Sequence, residues 1–259
     1  MQDILKKIEE AEMVLVGLGE DFDNKKFLSS LPNYVSGCEA LKEAECAWLI
    51  PAWGEYCAEK NDNRVQPALE KLAALLKDKN YFVVSVSANS EVAGVQWKHD
   101  RFVMPCGSSV KKQCICGCDD VYEVGHEDRD NLRVFFEKLY SEGVFEKESV
   151  LLGNCPKCGK SLIFNNIYAE KYKEEGYLPR WEIYMKWLQG TLNRKLLLLE
   201  LGVGMKYPSV VRWPFEKVAF FNQKAYFCRI HENLYQLTPE LSGKGRGISR
   251  NAIDWLKML

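Results

Sequence analysis

The sequence predicts an α/β fold, in which a Rossmann-like, mostly parallel sheet is covered by helices and interrupted by an inserted small zinc-binding module. Three observations predict it. Short, continuous apolar runs are typical of strands buried on both faces, as in parallel sheets. Segments of helical periodicity separate these runs. Five of the ten cysteines lie between Cys114 and Cys158, and clustering of this kind indicates metal ligands.

Helix and strand alternate in the N-terminal half of the chain. Residues 2–11 have apolar side chains at helical spacing, and residues 13–16 form an apolar strand that ends in Gly17-Leu18-Gly19. Residues 67–79 begin with a proline, which suits a first helical turn, and carry a leucine stripe. Further strands are predicted over residues 81–87 and 101–104.

The C-terminal half continues the pattern. Residues 196–201 predict a buried strand followed by Gly202-Val203-Gly204, and residues 217–221 predict a strand followed by Asn222. The glycine-rich residues 243–247 indicate a basic loop before a closing helix over residues 248–258. An aromatic run over residues 177–187 predicts a helix face that packs on the zinc module.

These elements divide the chain into a Rossmann-like nucleotide-binding domain, residues 1–110 and 190–259, and a zinc-binding and helical insertion, residues 111–189. In a sheet of this kind, ligands bind beyond the carboxyl ends of the strands. The glycines and polar residues that follow the predicted strands are therefore the candidate site residues.

Composition limits the partners and the location that we expect. Lys and Arg together number 35 against 36 Asp and Glu, whereas a nucleic-acid-binding protein normally shows a basic excess. No apolar run approaches the ~18 residues of a membrane helix, and the N-terminus does not resemble a secretory signal. We therefore expect a cytoplasmic protein that binds neither nucleic acid nor membrane.

The clustered cysteines predict one structural zinc site. Cys155-Pro156-Lys157-Cys158-Gly159 has the form of a zinc knuckle, and Cys114 and Cys118 supply the other two thiolates, with Cys116 as an alternative ligand. Four thiolates close the tetrahedral shell of Zn²⁺, which predicts a structural rather than a catalytic ion. The scattered cysteines are expected to be buried small apolar side chains: Cys38, Cys46, Cys57, Cys106 and Cys228. We expect His99, His126 and His231 to be surface or structural residues, since their spacing suits no metal site.

A zinc module inserted in a parallel sheet, together with these strand ends, resembles the sirtuins, which are NAD-dependent protein deacylases and ADP-ribosyltransferases. The resemblance extends over residues 10–258 and is best over residues 80–222. Residues 199–204, Pro214-Phe215 and the Cys114/Cys118 spacing are similar to the macrodomain-linked class M sirtuins of bacteria, which also lack the catalytic histidine.

The resemblance implies a role for each candidate residue, with a protein as substrate. Asn89, in Ser87-Ala88-Asn89-Ser90-Glu91, orients the nicotinamide ribose, and Cys106 occupies the position of the catalytic histidine. The residues that line the NAD cleft are Gly17, Gly19, Gly202, Val203, Gly204 and Asn222. Each also has a plainer interpretation: Asn89 as a turn residue, Gly202 and Gly204 as a tight turn, and Asn222 as a cap.

Two departures from the sirtuin pattern bear on activity. The first loop of sirtuins reads Gly-Ala-Gly-x-Ser, whereas here Gly19 is followed by Glu20-Asp21-Phe22-Asp23, and three carboxylates there repel a pyrophosphate unless they turn away. A thiol at Cys106 is a poor general base, which counts against deacetylation more than against ADP-ribosyl transfer. The sequence thus predicts a sirtuin-like protein-modifying transferase. The alternatives are a catalytically degenerate protein that binds NAD, ADP-ribose or a protein partner, and a zinc-stapled interaction protein.

Overall fold

The computed structural model describes residues 2–98, 100–146, 150 and 152–259. The strands within these residues are, in chain order, β1 Met13–Leu18, β2 Asn80–Ser85, β3 Phe102–Val103, β4 Gly107–Cys114, β5 Val121–Glu123, β6 Leu162–Asn166, β7 Leu196–Leu201, β8 Tyr226–Ile230 and β9 Gly245–Ile248. In the described chain, six of them form a parallel sheet in the order β3-β2-β1-β7-β8-β9. The other three form an antiparallel sheet in the order β5-β4-β6.

The helices described are α1 Gln2–Glu10, α2 Lys25–Leu28, α3 Pro32–Glu43, α4 Ile50–Asn61, α5 Val65–Leu76, α6 Glu91–Gly94, α7 His126–Glu142, α8 Leu178–Gln189, α9 Arg212–Phe221 and α10 Ala252–Met258. A single 3₁₀ turn, Glu20–Asp23, follows β1. Among the described residues, no helix is long and apolar enough to cross a bilayer.

The parallel sheet is buried on both faces, as its continuous apolar strands predicted. Side chains alternate along a strand, so Val14 and Val16 face one core and Met13 and Leu15 face the other. Helices α1, α5 and α10 cover the first face, and α8 and α9 cover the second. The predicted Rossmann-like, mostly parallel sheet is therefore confirmed.

A second core lies between the antiparallel sheet and a group of helices. Phe164 of β6 packs there with Phe136 of α7, and with Leu41 and Trp53 of α3 and α4. Helices α2–α4 come from the N-terminal part of the chain, yet they pack with the cysteine-rich segment. The division of the chain at residues 110 and 190 stays a prediction, since the structure does not test it as a unit of folding.

The strand predicted over residues 217–221 is wrong, because this segment lies in α9. Phe215 and Ala219 are four residues apart and both point into the core, whereas Phe220 and Phe221 are exposed. A five-residue apolar run fits a helix as well as a strand, so periodicity alone could not distinguish them. The strand that pairs with β7 is β8, which begins at Tyr226.

Two smaller predictions are also corrected. The aromatic helix α8 packs on the parallel sheet and not on the zinc module, since Tyr184 and Trp187 both contact Phe82 of β2. The glycine-rich segment is not a free loop, because Gly245–Ile248 pairs with β8 as the edge strand β9. His99 lies outside the described residues.

Candidate functional site

Four of the clustered cysteines converge on one point. The Sγ atoms of Cys114, Cys118, Cys155 and Cys158 all lie within 4.8 Å of one another. Cys114 ends β4, and Cys155 begins the turn whose Gly159 has a φ of +72°, a conformation that favours glycine. The structure thus gathers the four cysteines that the sequence selected, and Cys116 is exposed outside them.

The chemistry of this cluster fits Zn²⁺. Burial raises the pKa of Cys114, but the Cys116 amide, which lies 3.4 Å from its Sγ, and the Cys158 thiol outweigh that effect and lower the pKa to about 6. Zinc binds the thiolate form, and four sulfur ligands complete its tetrahedral shell. The four residues can therefore hold one structural zinc ion, with no position left for substrate.

Two glycine loops, Gly17–Gly19 at the end of β1 and Gly202–Gly204 after β7, meet at the carboxyl edge of the parallel sheet. Strands β1 and β7 pair in register from Met13 with Leu196 to Leu18 with Leu201, so Gly19 and Gly202 follow them side by side. A Cβ atom on Gly19 would lie 2.1 Å from the Gly202 carbonyl oxygen, which is closer than any side chain could come. The predicted cleft residues Gly17, Gly19, Gly202, Val203 and Gly204 are thus neighbours.

A buried ion-pair network supports the second glycine loop. Glu200, the fifth residue of β7, is fully buried and accepts a hydrogen bond of 2.6 Å from Nε of Arg229 on β8. Arg212 donates to the carbonyl oxygen of Val203 at 2.9 Å and lies 3.4 Å from Glu200. The hydrogen bond from Arg212 to Val203 connects the network to the loop, and removal of one charged partner would leave the other buried and uncompensated.

The acidic turn after Gly19 directs its three carboxylates inward. Glu20 Oε2 accepts a 2.6 Å hydrogen bond from the Gly204 amide, and Asp21 Oδ2 accepts one of 3.0 Å from the Ala252 amide. Asp23 Oδ1 accepts one of 2.6 Å from the Ser87 hydroxyl. Burial raises the pKa values of both aspartates. The carboxylates are therefore bound by the protein itself.

Asn89 lies in a buried turn beyond the end of β2. Its Nδ2 donates to the Phe22 carbonyl oxygen at 3.0 Å, and its Oδ1 accepts from the Glu91 amide at 2.9 Å. It lines a cavity of about 30 Å³ together with Asp23, Asn24 and Glu55. Within the described residues, the buried Nδ2 of Asn24 has no hydrogen-bond partner, so the cavity wall carries a free donor. The role of Asn89 in catalysis stays a prediction.

Cys106 lies close to this turn but is buried. Its exposed fraction is 3%, and desolvation raises the pKa of its thiol to about 12. The thiol is protonated at neutral pH, so it cannot accept a proton from a ribose hydroxyl. Cys106 is therefore a small buried core side chain at the place where the resemblance puts a base.

Asn222 does not lie with the glycine loops. It caps the C-terminus of α9, and its Nδ2 donates to the carbonyl oxygens of Thr191 at 3.0 Å and Arg194 at 3.2 Å. Both acceptors precede β7, so Asn222 is at the amino edge of the sheet, opposite the candidate cleft. The expectation that Asn222 follows a strand and lines the cleft is corrected, because the strand before it is a helix.

The residue that follows β8, the strand next to β7 on the side away from β1, is His231, directly after Ile230. It lines a cavity of about 390 Å³ with Asp21 and Gly202. Sequence reasoning missed this position, although Tyr226, Phe227 and Ile230 are residue types enriched in strands.

Glu55 of α4 is a second residue that sequence reasoning missed. Its Oε1 accepts a 2.7 Å hydrogen bond from the Ser90 amide, and its Oε2 accepts from the Ser90 hydroxyl. Burial raises the pKa of Glu55 to about 7, against the hydrogen bonds from Ser90 and Ser109. A buried carboxyl that titrates near neutrality beside the Asn89 turn is a functional-site signal.

Glu55→Gln is expected to stabilise the fold at pH 8 but not at pH 5. The folded-state pKa of about 7 lies above the usual 4.5, so stability is full at low pH and is lost as the pH rises through 7. The amide avoids that loss, and the gain in free energy of unfolding at pH 8 is roughly 2–3 kcal/mol. Urea denaturation at both pH values measures it.

Glu59→Gln on the same helix is the matched control, because Glu59 is exposed and pairs with Arg133 on the surface. Its effect is expected to stay below about 0.5 kcal/mol at both pH values. A Glu55→Gln protein that is less stable at pH 8 would contradict the raised pKa.

Comparison with known proteins gives one curated relative and many solved structures. No family model matches the chain. A protein ADP-ribosyltransferase of Staphylococcus aureus is 19% identical over 250 residues, covering 89% of this chain and 77% of that protein.

The solved structures that match include Sir2 proteins. Sir2Tm with a propionylated peptide has a TM-score of 0.53 at 12% identity, covering 100% of this chain and 96% of that one. Sir2 with a p53 peptide and NAD⁺ has a TM-score of 0.52 at 13% identity and the same coverage. A mutant Sir2 homologue with ADP-ribose has a TM-score of 0.55 at 14% identity, covering 100% and 94%. The chain therefore has the fold of the Sir2 structures.

Proposed function

We propose that this chain, which has the sirtuin fold, is an NAD-dependent transferase that modifies a protein, and that the modification is ADP-ribosylation. The observation that carries the proposal is the buried, protonated Cys106 at the position where the resemblance implies a base. Cleavage of the bond between nicotinamide and ribose needs positioning and electrostatic stabilisation rather than that base. The name of the Staphylococcus aureus relative supports the same reaction.

NAD, when bound, supplies an ADP-ribosyl group and a nicotinamide leaving group. The chain's own residues supply the rest. Asn89 presents an amide held from both sides, so its orientation is fixed before any ligand arrives. Glu55, on the same cavity wall, can accept a proton near neutral pH. The loops around Gly19 and Gly202 would hold the cofactor, and the four cysteines would hold a structural zinc ion that orders β4 and β6.

Deacylation of a protein is the second candidate reaction, since matching Sir2 structures contain propionylated and p53 peptides. It requires proton abstraction in which Glu55 would replace the absent histidine. A degenerate protein without turnover is not favoured, because the cavity keeps Asn89, Glu55 and the free Asn24 donor together.

We also propose a cytoplasmic location. The clustered Cys114, Cys118, Cys155 and Cys158 are thiols rather than disulfides, which suits a reducing compartment. The expectation of no nucleic-acid partner stays a prediction.

The zinc-loaded protein is expected to bind ADP-ribose and to release nicotinamide from NAD. Calorimetric titration with NAD and with ADP-ribose measures binding, and chromatography of the product measures turnover. Acyl-peptides and candidate acceptor proteins then distinguish deacylation from ADP-ribosylation by the product formed. Absence of binding by either ligand, with zinc present and the fold intact, would contradict the proposed function.

A further inference from the structure

Several backbone amides at the meeting point of the two glycine loops, including those of Gly19, Asp21 and Gly204, already donate to acceptors within the protein. Such amides are the groups with which glycine loops hold phosphates. Here the Gly19 amide donates to the Leu201 carbonyl oxygen at 2.8 Å, and the Asp21 amide donates to the Gly202 carbonyl oxygen at 3.2 Å. The first loop therefore offers neither of these two donors to a ligand.

Glu20 occupies the amides of the second loop. Its Oε2 accepts from the Gly204 amide at 2.6 Å, and its Oε1 accepts from the Lys206 amide at 3.3 Å. The two oxygens of one carboxylate thus bind two nearby amides, as two oxygens of a phosphate would. The shorter bond is in the range of a charge-assisted hydrogen bond.

Asp21 anchors the turn that places Glu20 there. Its Oδ2 accepts from the Ala252 amide at 3.0 Å, and its side chain packs against Gly202. Glu20 itself is only partly buried, so its side chain can rotate towards solvent while the turn stays in place.

A cavity of about 390 Å³ lies directly beside this contact and is bordered by Gly202, His231 and Glu20. Among the described residues, three cations line it, Lys25, Lys26 and Arg64, together with four carboxylates. Lys26 is bound by Glu232 at 2.7 Å, and Arg64 is bound by Asp254 at 2.5 Å. The cavity thus has room for a ligand, and the carboxylates that line it, Glu20 among them, oppose an anion there until they move.

We infer that Glu20 is an internal competitor for the phosphates of the cofactor, seated on the Gly204 and Lys206 amides until a pyrophosphate displaces it. This inference rests on the proposed function and adds to it a selectivity at the same site. Ligands with a pyrophosphate must displace Glu20, whereas an adenosine without phosphates need not. The affinity of the wild-type protein for ADP-ribose is accordingly lowered by its own side chain.

Glu20→Ala is expected to raise the affinity for ADP-ribose and for inorganic pyrophosphate by roughly 10- to 100-fold, because two amides become free and one negative charge is removed. The affinity for adenosine is expected to change less than threefold. Glu20→Gln, which keeps an acceptor oxygen but no charge, is expected to lie between the wild type and Glu20→Ala. Calorimetry of the zinc-loaded proteins gives all three affinities.

Glu232→Gln is the control for electrostatics, since it removes one charge from the same cavity and releases Lys26 but does not touch the amides. An equal gain in Glu232→Gln and Glu20→Ala would overturn the inference, because the effect would then be general electrostatics. Unchanged or weaker pyrophosphate binding by a folded Glu20→Ala protein would also overturn it. The proposed function is judged separately, by ADP-ribose binding and nicotinamide release in the wild type, so either can fail alone.

Discussion

Removal of zinc is expected to unfold the cysteine-rich module while the parallel sheet stays folded. A structural zinc site of this type contributes roughly 10–16 kcal/mol, which equals or exceeds the whole stability of a typical domain. Cys114 ends β4 and Cys155 packs in the second core, so loss of the ion removes the tie between the antiparallel sheet and its helices. Hydrogen exchange after treatment with a strong chelator measures the loss of protection in β4 and β6.

Substitution of single cysteines tests whether these thiols bind the metal, independently of the chelator. Cys155→Ser is expected to purify with less than about a fifth of an equivalent of zinc and to show the same exchange pattern as the chelated wild type. Cys116→Ser is the matched control, because Cys116 is exposed and lies outside the group of four. A Cys155→Ser protein that keeps one equivalent of zinc and its protected core would contradict the assignment of the site.

Asn89→Ala is expected to lower the rate of nicotinamide release by about 100-fold or more, while ADP-ribose affinity changes less than fivefold. An amide that orients the reacting ribose acts on the rate, and a small misplacement of the reacting groups costs about that factor. Rapid-quench measurement of nicotinamide, combined with calorimetry, gives the two quantities.

The alternative is that Asn89 only supports its turn. Asn63→Ala is the control for that role, since Asn63 also donates to Glu91, at 2.6 Å, but does not line the cavity of Asn89. If Asn89 only supports the turn, both variants melt at a lower temperature, and both release nicotinamide at a rate close to that of the wild type. A rate that falls equally in the two variants would argue against a specific role for Asn89.

The parallel sheet could be predicted because its strands are continuous apolar runs, which is the pattern of strands buried on both faces. Leu196–Leu201 is apolar at five of six positions and is followed by glycines, which favours a short strand buried on both faces. The zinc ligands could also be predicted, since the Cys155–Cys158 spacing is a local property of the chain.

The parts that could not be predicted depend on contacts between distant residues. Glu20 and Gly204 are 184 positions apart, so nothing near Glu20 shows that its carboxylate binds an amide. Glu55 acquires its raised pKa from burial against Ser90 and Ser109, which belong to other elements. The strand error at residues 217–221 had a local cause, because the run was too short to distinguish the two periodicities.

The origin of the second core has a consequence for synthesis on the ribosome. Leu41 and Trp53 pack against Phe136 and Phe164, so about a hundred residues must be translated before their partners exist, which takes roughly 5–20 s. During that interval the apolar faces of α3 and α4 are exposed in the nascent chain. Translation has also passed the last cysteine of the cluster before β6 can close the antiparallel sheet. The zinc site is therefore complete only shortly before β6 is translated. A shortage of zinc at that stage would leave the N-terminal helices of the nascent chain exposed to aggregation or to binding by chaperones.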